Sequence, residues 1–461
     1  MLAAQLVAEL RALVGDAGLL TGEALRGRAH DGRAGDVRAD ILVRPRNTQE
    51  LAAVLRLCHA RRQPVVTHGG LTGRVQGAAA GQSDVVLSLE AMSRIESVDV
   101  SGRTMRVEAG ATLLAAQEAA EQSGLMFPLD LGARASATIG GNIATNAGGM
   151  RVLRYGMMRS LVLGLEAVLA DGTVLSCLNR MLKNNAGYDL KQLFIGSEGT
   201  LGVITRADLR LVSQPLSQCT AFVACPDFAA VARLLGVLEA GLMGQLSAFE
   251  VLWPEYYELT TTAPAPSAPA LPHGQGLYVL IEAFGAEPQA DTARLTSVLA
   301  AALDEGLIVD AVIAKSDLER RALWAPREDV GQARRLGPAH HFDVSLAVTD
   351  MPTYLQSVRR RLDEAVPGSR MLVFGHVADG NLHLIVAAGA DGSTVLERCV
   401  YEPLRALHGS ISAEHGIGLT RKGYLEISRS AAEIATMRTL KLALDPHGIL
   451  NPGKVFDALP A

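Results

Sequence analysis

The chain has 461 residues, too many for one ordinary hydrophobic core, so two or more domains are expected. Hydrophobic residues make up 49% and charged residues 20%, the balance of an ordinary globular protein. A net charge of −5, from 43 basic and 48 acidic residues with no basic stripe, argues against nucleic acid as the main partner.

Residues 1–18 read as an amphipathic helix. Glu9 and Arg11 interrupt its apolar run and no small-residue cleavage site follows, so a signal peptide is not expected. No apolar run approaches the roughly 18 residues that a membrane span needs. The five cysteines, Cys58, Cys177, Cys219, Cys225 and Cys399, are scattered and form no CxxC. That pattern argues against a disulfide framework or an iron–sulfur cluster, and it fits a reducing cytoplasm.

Residues 41–66 predict a strand, a turn at Pro45, a helix from Thr48 and a second strand at 64–67. The loop Thr67-His68-Gly69-Gly70-Leu71-Thr72-Gly73 follows. Glycines let a backbone approach a ligand closely, and successive amides in such a loop make an anion-binding concavity suited to a diphosphate. The same residues also make an ordinary tight turn. No GxGxxG occurs, so a nicotinamide-type Rossmann site has no support.

Strands at 85–89 and 104–110 and a helix near 112–123 continue the β/α pattern. Residues 128–156 are then rich in glycine, asparagine and other small residues. A long irregular stretch inside a compact domain is usually functional, and small side chains leave space for a flat ring system. Residues 161–177 predict two strands around an Asp171-Gly172 turn. Gly196-Ser197-Glu198-Gly199-Thr200-Leu201-Gly202 makes a second glycine-rich turn before a strand, and the first domain ends near residue 212.

Composition changes at Ser213-Gln214-Pro215. Strands at 219–224, 278–283 and 341–348, with helices between, predict a sheet covered by helices. The Pro/Ala-rich stretch 262–276 is expected to be a mobile surface loop. At 371–385 two apolar runs flank Ala378-Asp379-Gly380-Asn381. Asp-Gly predicts a two-residue type I′ turn, which sets Ala378 opposite Asn381, Val377 opposite Leu382 and His376 opposite His383. Opposed residues have Cβ atoms roughly 4.5–5.5 Å apart, so the two imidazoles suit one divalent metal. A third ligand must come from elsewhere, and Glu414 in Ser412-Ala413-Glu414-His415-Gly416 is the candidate. Two histidines and a carboxylate with an open position make a catalytic zinc pattern, though iron and manganese use similar ligands. The alternative is a pair of structural histidines satisfied by hydrogen bonds. A helix near 395–407 precedes the Glu414 segment.

Six blocks, at 67–73, 127–149, 184–202, 375–383, 409–418 and 448–454, together resemble the FAD-linked enzymes of the vanillyl-alcohol oxidase superfamily. More narrowly the chain is similar to the D-2-hydroxyacid dehydrogenases of the D-2-hydroxyglutarate and D-lactate types, over about residues 40–456. The resemblance implies an α+β fold. A two-subdomain FAD-binding domain of vanillyl-alcohol oxidase type occupies 1–212. An antiparallel-sheet substrate (cap) domain covered by helices, carrying the metal hairpin, occupies 213–408. A segment with a short helical part, 409–461, closes the active site.

The resemblance places FAD against Thr67, His68, Gly69, Gly70, Leu71, Thr72 and Gly73. Further implied contacts are Asp130, Ser136, Thr138, Gly140, Gly141 and Asn142, then Thr145, Asn146 and Gly148. Glu198, Gly202, Ile204 and Asn451 complete the set. In relatives that attach FAD covalently the histidine follows a Gly-Gly pair. Leu71 stands there in this chain, so non-covalent FAD is implied. His376, His383 and Glu414 match the family metal ligands, with Zn2+ expected and Mn2+ or Fe2+ open. His415 matches the catalytic base and also touches substrate, and Arg327 matches the arginine that holds a substrate carboxylate. The implied reaction is oxidation of a D-2-hydroxy acid to the 2-oxo acid by hydride transfer to flavin N5. The metal polarises the hydroxyl and His415 removes its proton.

Three positions depart from the D-2-hydroxyglutarate pattern. Gly331 replaces a threonine, His341 a lysine and Ile385 an asparagine, while Leu71 replaces the usual asparagine of the diphosphate loop. His341 and Ile385 stay in the implied substrate site. The losses point to D-lactate or a larger relative, and D-2-hydroxyglutarate stays in the class because His340 or His341 can supply a charge. The resemblance also implies an electron-transfer flavoprotein or a quinone as electron acceptor and a homodimer, and the cysteine pattern implies a cytoplasmic location. The alternatives are the flavin subunit of a glycolate-oxidase-type complex, a non-enzymatic flavin carrier and an oxygen-using oxidase.

Overall fold

The computed structural model describes residues 4–25, 28, 38–388 and 393–457. It forms two compact units, 1–149 with 156–214 and 414–461, and 150–155 with 215–413. The breaks between the units fall at 149/150, 155/156, 214/215 and 413/414. The residues 150–155, expected in the first domain, belong to the second unit.

The first unit holds two main sheets. Strands β1 (Leu19–Thr21), β2 (Ile41–Val43), β3 (Val65–His68) and β4 (Val85–Ser88) line up in the order β1-β2-β4-β3. β2 and β3 both run parallel to β4. The helix Thr48–Ala60, whose N-cap Asn47 accepts the Glu50 N–H, carries the chain from β2 across to β3 on the other side of β4. All four residues of β4 are buried, as expected of a strand covered on both faces.

The second sheet takes β5 (Ile95–Asp99), β6 (Thr104–Glu108), β8 (Val162–Val168), β9 (Val174–Ser176) and β10 (Val203–Arg210) in the order β5-β6-β10-β8-β9, all antiparallel. The short β7 (Leu125–Met126) pairs with β11 (Val212–Ser213). One apolar core joins both sheets, from Leu51 and Val85 to Met105, Leu165 and Leu209. The tail returns to this core. The Val65 N–H donates to Ile449 O, and the Asn451 N–H to Val65 O.

The second unit is built on one seven-stranded antiparallel sheet. Its strands are β12 (Ser217–Cys225), β13 (Leu246–Leu252), β14 (Leu277–Gly285), β15 (Asp310–Ile313), β16 (Ala339–Ser345), β17 (Arg370–Gly375) and β18 (Asn381–Ala387). Their order is β15-β12-β14-β13-β17-β18-β16. The helices Pro254–Thr261 and Asp317–Glu328 bring Tyr256, Tyr257, Leu323 and Trp324 onto the face that carries Leu252, Leu280, Leu372, Phe374 and Ile385. Arg151 is ion-paired with the buried Glu282, and Arg154 donates to Phe284 O, which fastens 150–155 to this sheet. The stretch 262–276 is exposed or half-buried over 262–270 and is anchored at Leu271. Leu271 is buried, with its N–H donating to the Tyr257 hydroxyl and its O accepting from it.

Candidate active site

The first unit contains a cavity of about 580 Å³, a size ordinary for a small-molecule site. Glycine loops and small side chains form its wall. Thr67, Gly69, Gly70, Leu71, Thr72 and Gly73 line it from the end of β3. Thr138, Gly140, Gly141, Asn142, Thr145 and Gly148 line it from the small-residue stretch, and Glu198, Gly202, Ile204 and Asn451 from two further segments. Glu414 and His415 reach it as well. Gly70 is demanded by packing, since a Cβ there would sit 1.9 Å from Ser136 O. Leu71 holds a φ of +55° without being glycine, an unfavourable conformation for a branched side chain.

Two polar atoms on this wall, Thr67 Oγ1 and Asn142 Nδ2, are buried and have no hydrogen-bond partner. Buried polar groups are nearly always satisfied, so these two call for a polar guest. The residues therefore fit FAD: loops of backbone amides for a diphosphate, small side chains for a flat ring, and unpaired polar atoms for its edges.

Four expected FAD contacts do not line the cavity. His68 is buried, with its Nε2 2.8 Å from Ala78 O. Asp130 pairs with Arg134, and Ser136 contributes its carbonyl beside Gly70. Asn146 accepts the Arg159 N–H on its Oδ1. The wall also includes Leu89, Leu131, Ala133 and Ala147, which sequence reasoning missed. An apolar side chain carries no local sign that it faces a cavity rather than the core.

In the second unit the hairpin is not the predicted one. Phe374, not His376, stands opposite His383, and Leu372 stands opposite Ile385. Residues 377–379 form a single 3₁₀ turn, and Gly380 closes it at a φ of +86°. A type I′ turn would need positive φ at Asp379 too, and Asp379 does not have it. The tertiary neighbour decides the turn: the Leu346 N–H donates to Gly380 O.

The two histidines still meet. His376 lies two residues beyond Phe374, on the same face, so it is the diagonal neighbour of His383. Their ring centroids are 5.4 Å apart, and their ligand atoms lie within 4.8 Å of one another. This donor set suits one divalent ion.

A third side chain, Glu250 on β13, organises this face. Its Oε2 accepts the Arg327 Nε–H at 2.6 Å, and its Oε1 accepts the His376 Nδ1–H. The Nε2 of His376 lies 3.3 Å from Arg327 Nη2. Burial acts to raise the Glu250 carboxyl, but the charges of His376 and Arg327 outweigh it and hold the carboxyl at about 2. A carboxylate on the far nitrogen of a histidine orients the ring and raises its basicity as a metal ligand. The guanidinium of Arg327 also lies 4.7 Å over the Phe374 ring. His341 is exposed and pairs across the strands with Ile385, which is buried in the apolar cluster. Ala413 donates to Asp343 O, so the chain leaves this sheet one residue before Glu414.

Glu250 escaped the sequence reading. In Leu246-Ser247-Ala248-Phe249-Glu250-Val251-Leu252 its position signals no function, and only the cross-sheet packing of Arg327 and His376 marks it.

A flavin-binding unit followed by a unit built on a seven-stranded antiparallel sheet is a fold of vanillyl-alcohol oxidase type. The same fold occurs in p-cresol methylhydroxylase, with a TM-score of 0.77 over 99% of this chain and 97% of that one at 17% identity. It also occurs in alkyldihydroxyacetonephosphate synthase, with a TM-score of 0.75 over 98% of this chain and 85% of that one at 18% identity. Family models match twice, an FAD binding domain over residues 39–178 and the C-terminal domain of FAD linked oxidases over residues 214–455. The chain belongs to the FAD-linked oxidase family and is an FAD-dependent dehydrogenase. It is 44% identical to the mitochondrial D-2-hydroxyglutarate dehydrogenase of Bos taurus, over 90% of this chain and 76% of that protein. It is 40% identical to D-2-hydroxyglutarate dehydrogenase of Xanthomonas citri pv. viticola, over 90% and 88%. Among the described residues no helix is long and apolar enough to cross a membrane.

Proposed function

We propose that this protein oxidises a D-2-hydroxy acid to the 2-oxo acid, with non-covalent FAD as the immediate oxidant and a divalent metal, zinc first, as Lewis acid. The observation that carries the reading is the cluster on one sheet face: His376 and His383 with their ligand atoms within 4.8 Å, beside the Glu250-held guanidinium of Arg327. His376, His383 and Glu414 are the proposed metal ligands. Support for Glu414 comes from its place in the chain, directly after Ala413, which is bonded to β16 opposite His383.

When bound, FAD accepts the two electrons and the metal favours the alkoxide form of the hydroxyl. The chain's own residues do the rest. Arg327 orients the substrate carboxylate through a charge-assisted contact, with its own direction set by Glu250. His415 takes the hydroxyl proton as general base. The substrate tail meets Ile385 and the exposed His341. The relatives' names put D-2-hydroxyglutarate in the substrate panel, and the apolar Ile385 puts D-lactate and longer monoacids beside it. The proposed final electron acceptor is an electron-transfer flavoprotein or a quinone, and a homodimer is the proposed assembly.

The test is anaerobic mixing with D- and L-2-hydroxy acids while flavin absorbance is followed, repeated after chelation and metal add-back. Bleaching by D-acids alone, lost on chelation and restored by zinc, is the expected result. A flavin that stays oxidised with every acid sinks the reading.

A further inference from the structure

Glu198 was expected to touch FAD, yet its carboxylate is committed elsewhere. It sits in the turn before β10, buried, at a φ of +52°. Oε1 accepts the Ile417 N–H at 2.7 Å and Oε2 accepts the Gly418 N–H at 2.8 Å. Both oxygens thus grip the backbone just after Glu414 and His415. A negative carboxylate turned to the cavity would repel a diphosphate, whereas one turned to two amides is satisfied where it is.

The rest of the residue is tied as firmly. The Glu198 N–H donates to Ala144 O at 2.8 Å, and its carbonyl accepts Asn451 Nδ2–H at 2.6 Å. Asn451 Oδ1 in turn accepts the Thr67 N–H at 2.9 Å, at the root of the glycine loop. Four segments remote in sequence, near 67, 144, 417 and 451, are therefore joined through this residue. Gly416 completes the fit: it has a φ of +83°, and a Cβ there would lie 2.8 Å from Glu198 Oε1. A carboxylate charge-assists both hydrogen bonds, a device stronger than a neutral acceptor provides.

We propose that Glu198 is a positioning residue, which clamps the backbone at 417–418 so that His415 is presented to the flavin cavity in a fixed orientation. The inference rests on the proposed role of His415 as base. It places in the glycine-rich turn a constraint on the proton-transfer step.

The experiment uses the full chain loaded with FAD, as wild type, Glu198→Gln and Glu198→Ala. Amide hydrogen exchange is read over residues 411–421, beside flavin content and anaerobic flavin reduction by a D-2-hydroxy acid. Glu198→Ala is expected to speed exchange at 411–421 by roughly tenfold or more, the equivalent of losing two charge-assisted bonds to backbone. Flavin content stays near wild type, and the limiting reduction rate falls roughly tenfold or more with little change in KM, because orientation of a base acts on the chemical step. Glu198→Gln keeps one acceptor and falls between on both readouts. Exchange at 411–421 that matches wild type overturns the inference, and so does activity lost only in proportion to flavin. If wild type itself is not bleached, the proposed reaction fails, while the exchange data still decide the clamp.

Discussion

The two units meet their guests by opposite means. The cavity of the first is walled by backbone and small side chains, and it leaves Thr67 Oγ1 and Asn142 Nδ2 unpaired. The sheet face of the second is packed with charge, and Glu250, His376 and Arg327 satisfy one another. The first arrangement reads shape and hydrogen-bonding edges, which suits a large flat cofactor. The second holds a rigid set of charges in a dry place, which suits a small anion whose charge changes during reaction.

The sharpest way to break this contrast is Glu250→Ala. It leaves a buried guanidinium and imidazole without their acceptor, a loss expected to cost about 3–5 kcal/mol. Chemical denaturation measures it, and flavin absorbance on the folded protein is expected to be unchanged. A cost below about 1 kcal/mol would make the cluster no more than a surface-type pair. Next in size is Gly70→Ala, whose new Cβ collides with Ser136 O at 1.9 Å. Overpacking of this kind costs about 1–3 kcal/mol, and the purified variant is expected to lose flavin while its metal content stays at the wild-type level.

Acid separates the units more gently. Glu166 in the first unit is buried, which acts to raise its carboxyl, but Arg206, Thr48 and Thr205 bond to it and the net shift is downward. Glu250 is likewise lowered, to about 2. A depressed carboxyl contributes stability that is present above the unfolded value of 4.5 and is lost as pH falls through the folded one. The melting temperature is therefore expected to drop below about pH 4.5. Glu250→Gln is expected to flatten the lower part of that decline, toward pH 2, and an identical acid limb in the variant would contradict the assignment.

The smallest effect belongs to Leu71→Asn. Asparagine accepts positive φ more readily than leucine, so stability is expected to rise by about 0.5–1 kcal/mol. Flavin content is expected to hold, because the loop offers backbone. A variant without flavin would show that the Leu71 side chain itself contacts the cofactor.

Much of the fold was legible because its signals are local. The helix Thr48–Ala60 begins at the expected Thr48, and β3, β4, β6 and β10 fall on the apolar runs. Every residue of the loop 67–73 except His68 lines the cavity. The hairpin was legible as a hairpin, but not its register. Asp379-Gly380 suggested a two-residue turn, and the contact of Gly380 with Leu346 selected a longer one.

What the sequence determined by itself was the order of elements, the residue types of the site and the family they resemble. Each depends on neighbours within a few positions, or on blocks that can be read in order. Tertiary structure alone decided the diagonal placing of His376 and His383, the grip of Glu250 on Arg327, the membership of 150–155 in the second unit and the Glu198 clamp. Those features join residues far apart in the chain. A buried carboxylate gains its role only from the partners that folding brings to it, and no local pattern records which partners those are.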